Sequence, residues 1–570
     1  MLKSSDDKTI ADADSGSAED VPPQRLGWLF GLIALVRRVL LEKTLPNIRA
    51  FIAERQLLVW VIALAIGIGA SYFAIIFRLL IGLAQLPWLG DASEHVYAAA
   101  AKLPWWMILA GPAVGGLIVG LLLQHVMPGR RAPAVADVIE ARALLGCRIP
   151  ARTGLVGALI SALSLGFGAS SGREGPVVHL GAALASTLED AFKLPHAARR
   201  TLLACGVAAA VSASFNAPIA GVLFAHEVIL AHYALRAFVP IVISSVAATV
   251  IARIHLGDFP AFFIPNYQIT SYWEFPAFAL LGLTCAAVAI LFQFALIGTD
   301  RVARQIEIPL WFRPVLGGLM VGTIALAFPQ VLGVGYDATD AALKQQFPLW
   351  LLLALLVTKT AATAITLASR FGGGIFSPSL YLGAMTGAAF GIIAASAFPQ
   401  VASSEGLYAI LGMGAVAGAV LGAPISTVLI VFELTGGYQM TIALLLCVSI
   451  STALTQAVHG LSYFHWQLST RGLFLQDGPH KSIVRSLKVR DFMVLPQEGE
   501  DLPELTEDTP LLTPDDTVEA ALRAFDKAGA SRLPVVDAND TSRVIASAAH
   551  LAALNAFNAA LIEAHEEEHR

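Results

Sequence analysis

Charge is what this chain has least of. Only 14% of its 570 residues are Asp, Glu, Lys or Arg, against roughly 25% in an average soluble domain. The deficit is uneven: residues 56–470 hold 35 charged side chains, while residues 1–55 hold 16 and residues 471–570 hold 28. A stretch that long cannot cover a water-facing surface with so little charge, which excludes an ordinary soluble domain and leaves the bilayer. Basic clusters are missing too. No run of Lys or Arg exceeds two residues and the net charge is −5, which argues against nucleic acid as a partner. The four cysteines, Cys147, Cys205, Cys285 and Cys447, are too scattered for a disulfide framework or a metal site and read as buried, inert thiols. No secretory leader is evident in the polar residues 1–26. Strand-like alternation of apolar and polar residues is also absent, which leaves helices.

What is present is apolar sequence in helix-length runs. These fall near 57–86, 104–126, 153–171, 201–230, 237–255, 275–298, 312–333, 348–368, 380–398, 406–434 and 440–458. The run 28–41 is interrupted by Arg37 and Arg38 and reads as a helix lying on the membrane surface. Several runs are broken inside by Gly, Pro or Ser, as in LGFGASSGREGP (165–176) and RFGGGIFSP (370–378). Breaks at membrane depth are tolerated only where they line a cavity or pack within protein, so these segments are the first pointer to a site.

The chain also repeats itself. Gly172-Arg173-Glu174-Gly175-Pro176, followed by Leu180-Gly181-Ala182, aligns with Gly374-Ile375-Phe376-Ser377-Pro378, followed by Leu382-Gly383-Ala384. Residues 206–227 then align with 412–433 without a gap; Pro218 and Pro424 match, as do Glu227 and Glu433. Duplicated halves with glycine-interrupted helices mark a transporter whose site lies at the midplane between the repeats. The half-helix N-termini would point free N–H groups and partial positive charge at the substrate, which suits an anion.

At these residues the sequence resembles the CLC family of chloride channels and chloride/proton antiporters, also called the voltage-gated chloride channel family. Residues 172–176 match its GREGP/GKEGP motif, with His179 fitting the longer form; residues 374–378 match GxFxP; Asn216-Ala217-Pro218 and Gly221-Val222-Leu223-Phe224 match the stretch after the first half-site; Leu461-Ser462-Tyr463 matches the inner-gate tyrosine segment. The resemblance spans roughly residues 55–475. It implies that Glu174 and Tyr463 are gates. Anion contacts would come from Pro133, Gly172, Arg173, Gly175, Ile375, Phe376 and Tyr463. An ionisable residue inside a membrane is a functional candidate by default, which agrees for Glu174; pairing with Arg173 is its structural alternative. For Tyr463 alone, an interfacial aromatic anchor is the alternative.

Three departures from the family pattern stand out. The GSGIP motif is absent. One register places Pro133 where the family has its pore serine, as some nitrate-preferring plant relatives do; another places Arg130 there. Proline has no N–H and no hydroxyl, which would penalise a strongly hydrated chloride more than nitrate. Second, Val228 occupies the position of the internal proton acceptor, next to Glu227, which reads as a structural helix-end acid. The loss favours a passive channel, with a proton-coupled chloride or nitrate exchanger as the alternative. Third, Ser369 is followed by Arg370, where the family often has glycine; Arg370 caps a helix or faces the vestibule. Lys359, inside an apolar run, either adds positive potential to the pore or pairs with a buried carbonyl or carboxylate.

From residue 471 the charge density rises. Val489–Met493, Thr513–Leu522 and Arg532–Asp537, with Asn539-Asp540 as turn residues, resemble a single CBS motif; such modules normally pair two. Ala548-Ala549-His550-Leu551 replaces the acid that usually holds a nucleotide's ribose, which argues against nucleotide binding. The expected architecture is an all-α integral membrane protein with two inverted-topology repeats of broken half-helices forming an anion pore, plus a small α/β CBS-like cytoplasmic tail. Its divisions are a polar segment over 1–55, a transport domain over 56–475 (repeats about 56–255 and 275–470) and a tail over 476–570. The protein is expected to be a multi-pass homodimer in the cell (inner or plasma) membrane, with both termini cytoplasmic. It would carry chloride or another monovalent anion, need no cofactor or metal, and have no enzymatic activity. The rival, a membrane enzyme using Glu174, His179 and Glu227, has no metal or nucleophile motif behind it.

Overall fold

The computed structural model describes residues 32, 35–45, 55–194, 196–258, 268–435, 437, 440–473, 487–495, 510–537, 540 and 543–569. The chain divides into two units, residues 1–58 and 59–570. In the first, residues 35–45 are helical and include one wide π-type turn, Leu40–Thr44. Arg38 pairs there with Glu42 at 3.0 Å. Of the helix expected over 28–41, residues 28–31, 33 and 34 lie outside the described residues.

A helical array fills the rest. Its first set is α1 (Gln56–Leu89), α2 (Trp105–His125), α3 (Val135–Leu144), α4 (Ala151–Gly166), α5 (Glu174–Phe192), α6 (His196–Phe215), α7 (Pro218–Phe224) and α8 (Leu235–Leu256). The second set repeats the order: α9 (Phe275–Gln305), α10 (Arg313–Ala327), α11 (Tyr336–Leu343), α12 (Leu349–Ala368), α13 (Phe376–Ala397), α14 (Glu405–Leu421), α15 (Pro424–Thr435) and α16 (Thr441–His459). Among the described residues, seven helices are long and apolar enough to cross a membrane, and several others are shorter apolar pieces. The short pieces are what a repeat of broken helices requires.

Two runs that read as single stretches are each two helices. Residues 201–230 break at Asn216-Ala217, because a residue before proline is pushed out of helical geometry and Asn216 takes a left-handed φ of 57°. Residues 406–434 break at the equivalent place, where Gly422 turns with φ 67° ahead of Ala423-Pro424. The short helices α3 and α11 fall between the expected runs.

Glycine sets the closest helix crossings, as is common where helices pack inside a membrane. At the α5–α6 crossing, a Cβ on Gly181 would lie 2.4 Å from the Gly206 carbonyl oxygen. At the α13–α14 crossing, a Cβ on Gly383 would lie 2.3 Å from that of Gly412. These are the same positions in the two repeats. A further exchange joins the repeats. Glu227, in the π-helical turn Ala225–Leu230 after α7, accepts from the Ile425 and Ser426 amides at 3.1 and 2.8 Å. Glu433, near the end of α15, accepts from the Ile219 and Ala220 amides at 3.0 and 2.7 Å. Each carboxylate thus satisfies orphan N–H groups at the start of the other repeat's helix, which gives the helix-end acid at Glu227 a defined role.

After α16 comes α17 (Tyr463–Ser469), and then a small α/β tail of α18 (Val518–Ala528), β1 (Arg532–Val536), β2 (Val544–Ala549) and α19 (His550–His569). The two strands pair antiparallel. Val489, Leu512, Val518, Phe525, Leu533, Val535 and Ala546 form its core. Thr517 caps α18 by accepting from the Ala520 amide at 3.2 Å. Asn539 lies outside the described residues.

The glycine crossings are testable. Valine at Gly206 or Gly412 would drive side-chain carbon into a facing backbone, and overpacking alone costs about 1–3 kcal/mol. Either variant is expected to lose its monodisperse peak in size-exclusion chromatography in detergent. Gly298→Ala, where nothing lies within 4 Å of the added carbon, is expected to keep it.

Candidate functional site

The two glycine-broken segments meet head to head. The Gly172 amide donates to the Gly374 carbonyl at 2.6 Å, and the Gly374 amide donates to the Gly172 carbonyl at 2.8 Å. This antiparallel pairing brings the first residue of α5, Glu174, beside the first residues of α13, Phe376 and Ser377. Glycine is required here: a Cβ on Gly172 would sit 2.7 Å from Glu174 Oε2, and Gly373 has φ 150° with Ser171 Oγ 2.1 Å from any Cβ. Pro176 and Pro378 fall at the third position of their helices, where the missing N–H leaves no extra orphan donor in the first turn.

A small cavity of about 30 Å³ lies at this meeting point, lined among others by Ala134, Glu174, Gly175, Ile375, Phe376 and Tyr463. That is room for about one water-sized particle. On one side opens a wide vestibule of about 800 Å³, whose walls include Arg173, Tyr336, Glu94 and Asn216. On the other is a vestibule of about 290 Å³ that shares Ala134, Gly373, Tyr463 and Gln467 with the cavity. Glu174 and Tyr463 therefore flank one narrow chamber between two wide ones.

Glu174 is buried, with its side chain 2% exposed. Its Oε1 accepts from Tyr336 Oη at 2.8 Å and from Ser377 Oγ at 2.6 Å. Oε2 has no hydrogen-bond partner among the described residues. The acid is thus held chiefly by two hydroxyls: Arg173 Nε, 3.9 Å away, makes a long ion pair and no hydrogen bond with it. The Arg173 guanidinium pairs with Glu94 instead and lies over the Tyr336 ring, 4.7 Å from its centroid. Tyr336 opens α11 after a left-handed Gly335. Sequence reasoning passed over it, because a lone tyrosine after Gly-Val-Gly carries no recognisable signal. Ser377 lay inside a recognised motif, yet no role attached to its hydroxyl.

Of the residues expected to touch an anion, Gly175, Ile375, Phe376 and Tyr463 line the cavity. Pro133, Gly172 and Arg173 do not, and each has a physical reason. The Pro133 ring packs against α4, leaving 2.6 Å to a Cβ on Gly157. The Gly172 N–H is taken by Gly374. Arg173 faces the wide vestibule. The wall beside Pro133 is formed by Ala134 and Val135; Arg130 is exposed, in a turn with φ 51°. Val228 is buried in the π-helical turn with His226, whose Nδ1 is 2.9 Å from the His232 carbonyl oxygen. Glu227 and Glu174 have separate partners, and His179 is buried within α5, so the three do not form an acid/base constellation. Among the described residues no cluster suits a metal ion.

Lys359 resolves to the carbonyl alternative. Fully buried in α12, it donates to the carbonyls of Val331 and Gly333 at 3.0 Å each, and its ammonium is 5.0 Å from the centre of the Tyr381 ring. Lys359→Met would leave both carbonyls unpaired, at about 1–3 kcal/mol for each buried group. The expected result is a clear drop in thermal unfolding midpoint in detergent, with Lys344→Met, on the exposed surface, as the unaffected control.

A family model described as "Voltage gated chloride channel" matches residues 115–456. The putative chloride channel protein ClcB-like of Ralstonia nicotianae is 35% identical over 391 residues, covering 68% of this chain and 90% of that protein. The H(+)/Cl(-) exchange transporter ClcA of Salmonella arizonae is 33% identical over 308 residues, covering 52% of this chain and 64% of that protein. Among solved structures, a slow cyanobacterial Cl-/H+ antiporter matches 74% of this chain and 99% of its own with a TM-score of 0.65, at 22% identity; that likeness speaks to the fold alone. With the paired half-helices and the repeat behind it, the match over most of the membrane region places the chain as a multi-pass membrane protein in the voltage gated chloride channel, or CLC, family.

Proposed function

We propose that this protein moves chloride-like monovalent anions across a membrane in exchange for protons, with Glu174 as the group that both kinds of cargo use. The observation that carries this reading is the burial of one protonatable carboxyl against the cavity where two half-helix N-termini meet. Ionised, a carboxylate there takes the place of an anion and accepts from the Tyr336 and Ser377 hydroxyls; neutral, it gives up that claim to an entering anion. Proton and anion are then alternative occupants of one position, which is the requirement for exchange. The exchange-transporter relative supports the same choice.

The passive channel is the second reading, and Val228 favours it, since the family's internal proton acceptor is missing there. Tyr463, opening α17 beside the cavity, is the proposed second gate, with its hydroxyl accepting from Gln467 Nε2 at 3.1 Å. The proposed unit is a homodimer with one pathway per subunit. Residues 56–475 carry transport, and residues 476–570 form a separate tail.

The test is anion efflux from liposomes down a chloride gradient, with external proton uptake recorded in parallel. Exchange predicts proton uptake that tracks chloride efflux in the wild type. In Glu174→Gln it predicts that proton uptake is lost while chloride still moves. Chloride efflux without proton uptake in the wild type would replace the exchanger by the channel.

A further inference from the structure

The vestibule next to Tyr463 holds four arginines on its walls, Arg131, Arg304, Arg370 and Arg471, against two carboxylates, Asp137 and Asp300. Three of the four are already matched. Arg131 pairs with Asp137, Arg304 pairs with Asp300 at 2.7 Å, and Arg471 bridges Asp137 and Glu140 at 3.0 and 2.8 Å. Beyond its own turn, where its amide donates to the Leu367 carbonyl at 3.1 Å, the Arg370 side chain makes no hydrogen bond or ion pair with any described residue. The strongest charge acting on it is the attraction of Asp300, a carboxylate that Arg304 already holds, while Arg304, Arg313 and Arg131 repel it. Its guanidinium therefore has no carboxylate of its own.

Its backbone adds a second observation. Arg370 takes φ 71°, a left-handed conformation that glycine adopts freely and a side chain only against strain. Strain kept at a position lining a cavity points to function. A third observation comes from the facing wall. At the start of α3, the Ala134 amide is consumed by Asp137 Oδ2 at 2.8 Å, and Pro133 has no N–H to offer. That helix end therefore presents neither of these donors to the vestibule.

We propose that Arg370 is the anion-binding group of this vestibule, taking one small monovalent inorganic anion from solution before it enters the cavity past Tyr463. This rests on the anion-transport reading above. Charge-assisted N–H donors of guanidinium suit such an ion, and the vestibule leads into a chamber that admits only a water-sized particle. Arg370 thus supplies, from the start of the second repeat's half-site, the attraction that the first repeat's Pro133 segment has lost.

The experiment is chloride flux through the full-length protein in liposomes as chloride concentration varies, at constant ionic strength set with an impermeant organic anion. Arg370→Gln and Arg370→Gly are expected to raise the half-saturating chloride concentration at least threefold, with maximal flux within twofold of wild type. Arg370→Lys is expected to stay within twofold on both measures. Raising ionic strength should shrink the difference, because a charge effect is screened. Arg370→Gly also relieves the backbone, so loss of folding would not mimic the result. An unchanged half-saturation in the Gln and Gly variants overturns the proposal, as does a Lys variant as impaired as Gln. No flux in the wild type would sink the transport reading instead. In that case chloride titration calorimetry on the same four proteins reads the site directly: equal affinities overturn it, and weaker binding in Gln and Gly alone sustains it.

Discussion

Two backbone hydrogen bonds between Gly172 and Gly374 hold the candidate site of this protein together. They fix the start of α5 against the start of α13, so the unpaired N–H ends of two half-helices converge on one small cavity. Every other feature of the site is secondary to that contact. It places Glu174 within reach of Ser377 on the opposite half-helix, and it leaves no room for any side chain at Gly172 or Gly373. A helix dipole falls off within a turn, so two half-helices can act on one ion only if their ends are brought this close.

The larger plan was legible because its signals are local and repeated. Low charge over residues 56–470 marked the membrane region, and the matched Gly-Pro motifs marked the duplication before any coordinates. What escaped depends on long-range contact. Tyr336 is 162 residues from the carboxylate it holds, and nothing within its own window singles it out. The helices α3 and α11 are short (10 and 8 residues), below the length at which apolar periodicity declares itself. The sequence pairing of Glu227 with Glu433 was visible, yet its meaning, a mutual capping between repeats, needs three dimensions. Pro133 stands one residue back from the cavity: its ring turns into α4 and Ala134 takes the wall, an orientation that a register alone does not give.

The two vestibules differ in how their charges are settled. In the wide one, Arg173 and Arg78 share Glu94, and Arg253 pairs with Asp258 at 3.1 Å. Positive potential there is tempered by carboxylates within the same wall. In the narrower vestibule arginines outnumber carboxylates, and Arg370 pairs with none of them. Electrostatic attraction in a cleft with low-dielectric walls is focused and strengthened, so this imbalance acts on any ion approaching from that side. The two faces of the pathway are thus chemically unequal, although the repeats that build them are related.

The exchanged carboxylates of Glu227 and Glu433 have a consequence for how the chain is made. The first amides of α7, at Ile219 and Ala220, find their acceptor 214 and 213 residues later. At ordinary rates of synthesis that is a delay on the order of 10–40 s. Throughout it, the first half has a helix start whose donors are unmet, in surroundings where unmet donors are penalised. The first half therefore cannot complete this helix start alone. Maturation waits for the second half to emerge, and a ribosome stalled before Glu433 would leave an inserted but incomplete product for quality control to recognise.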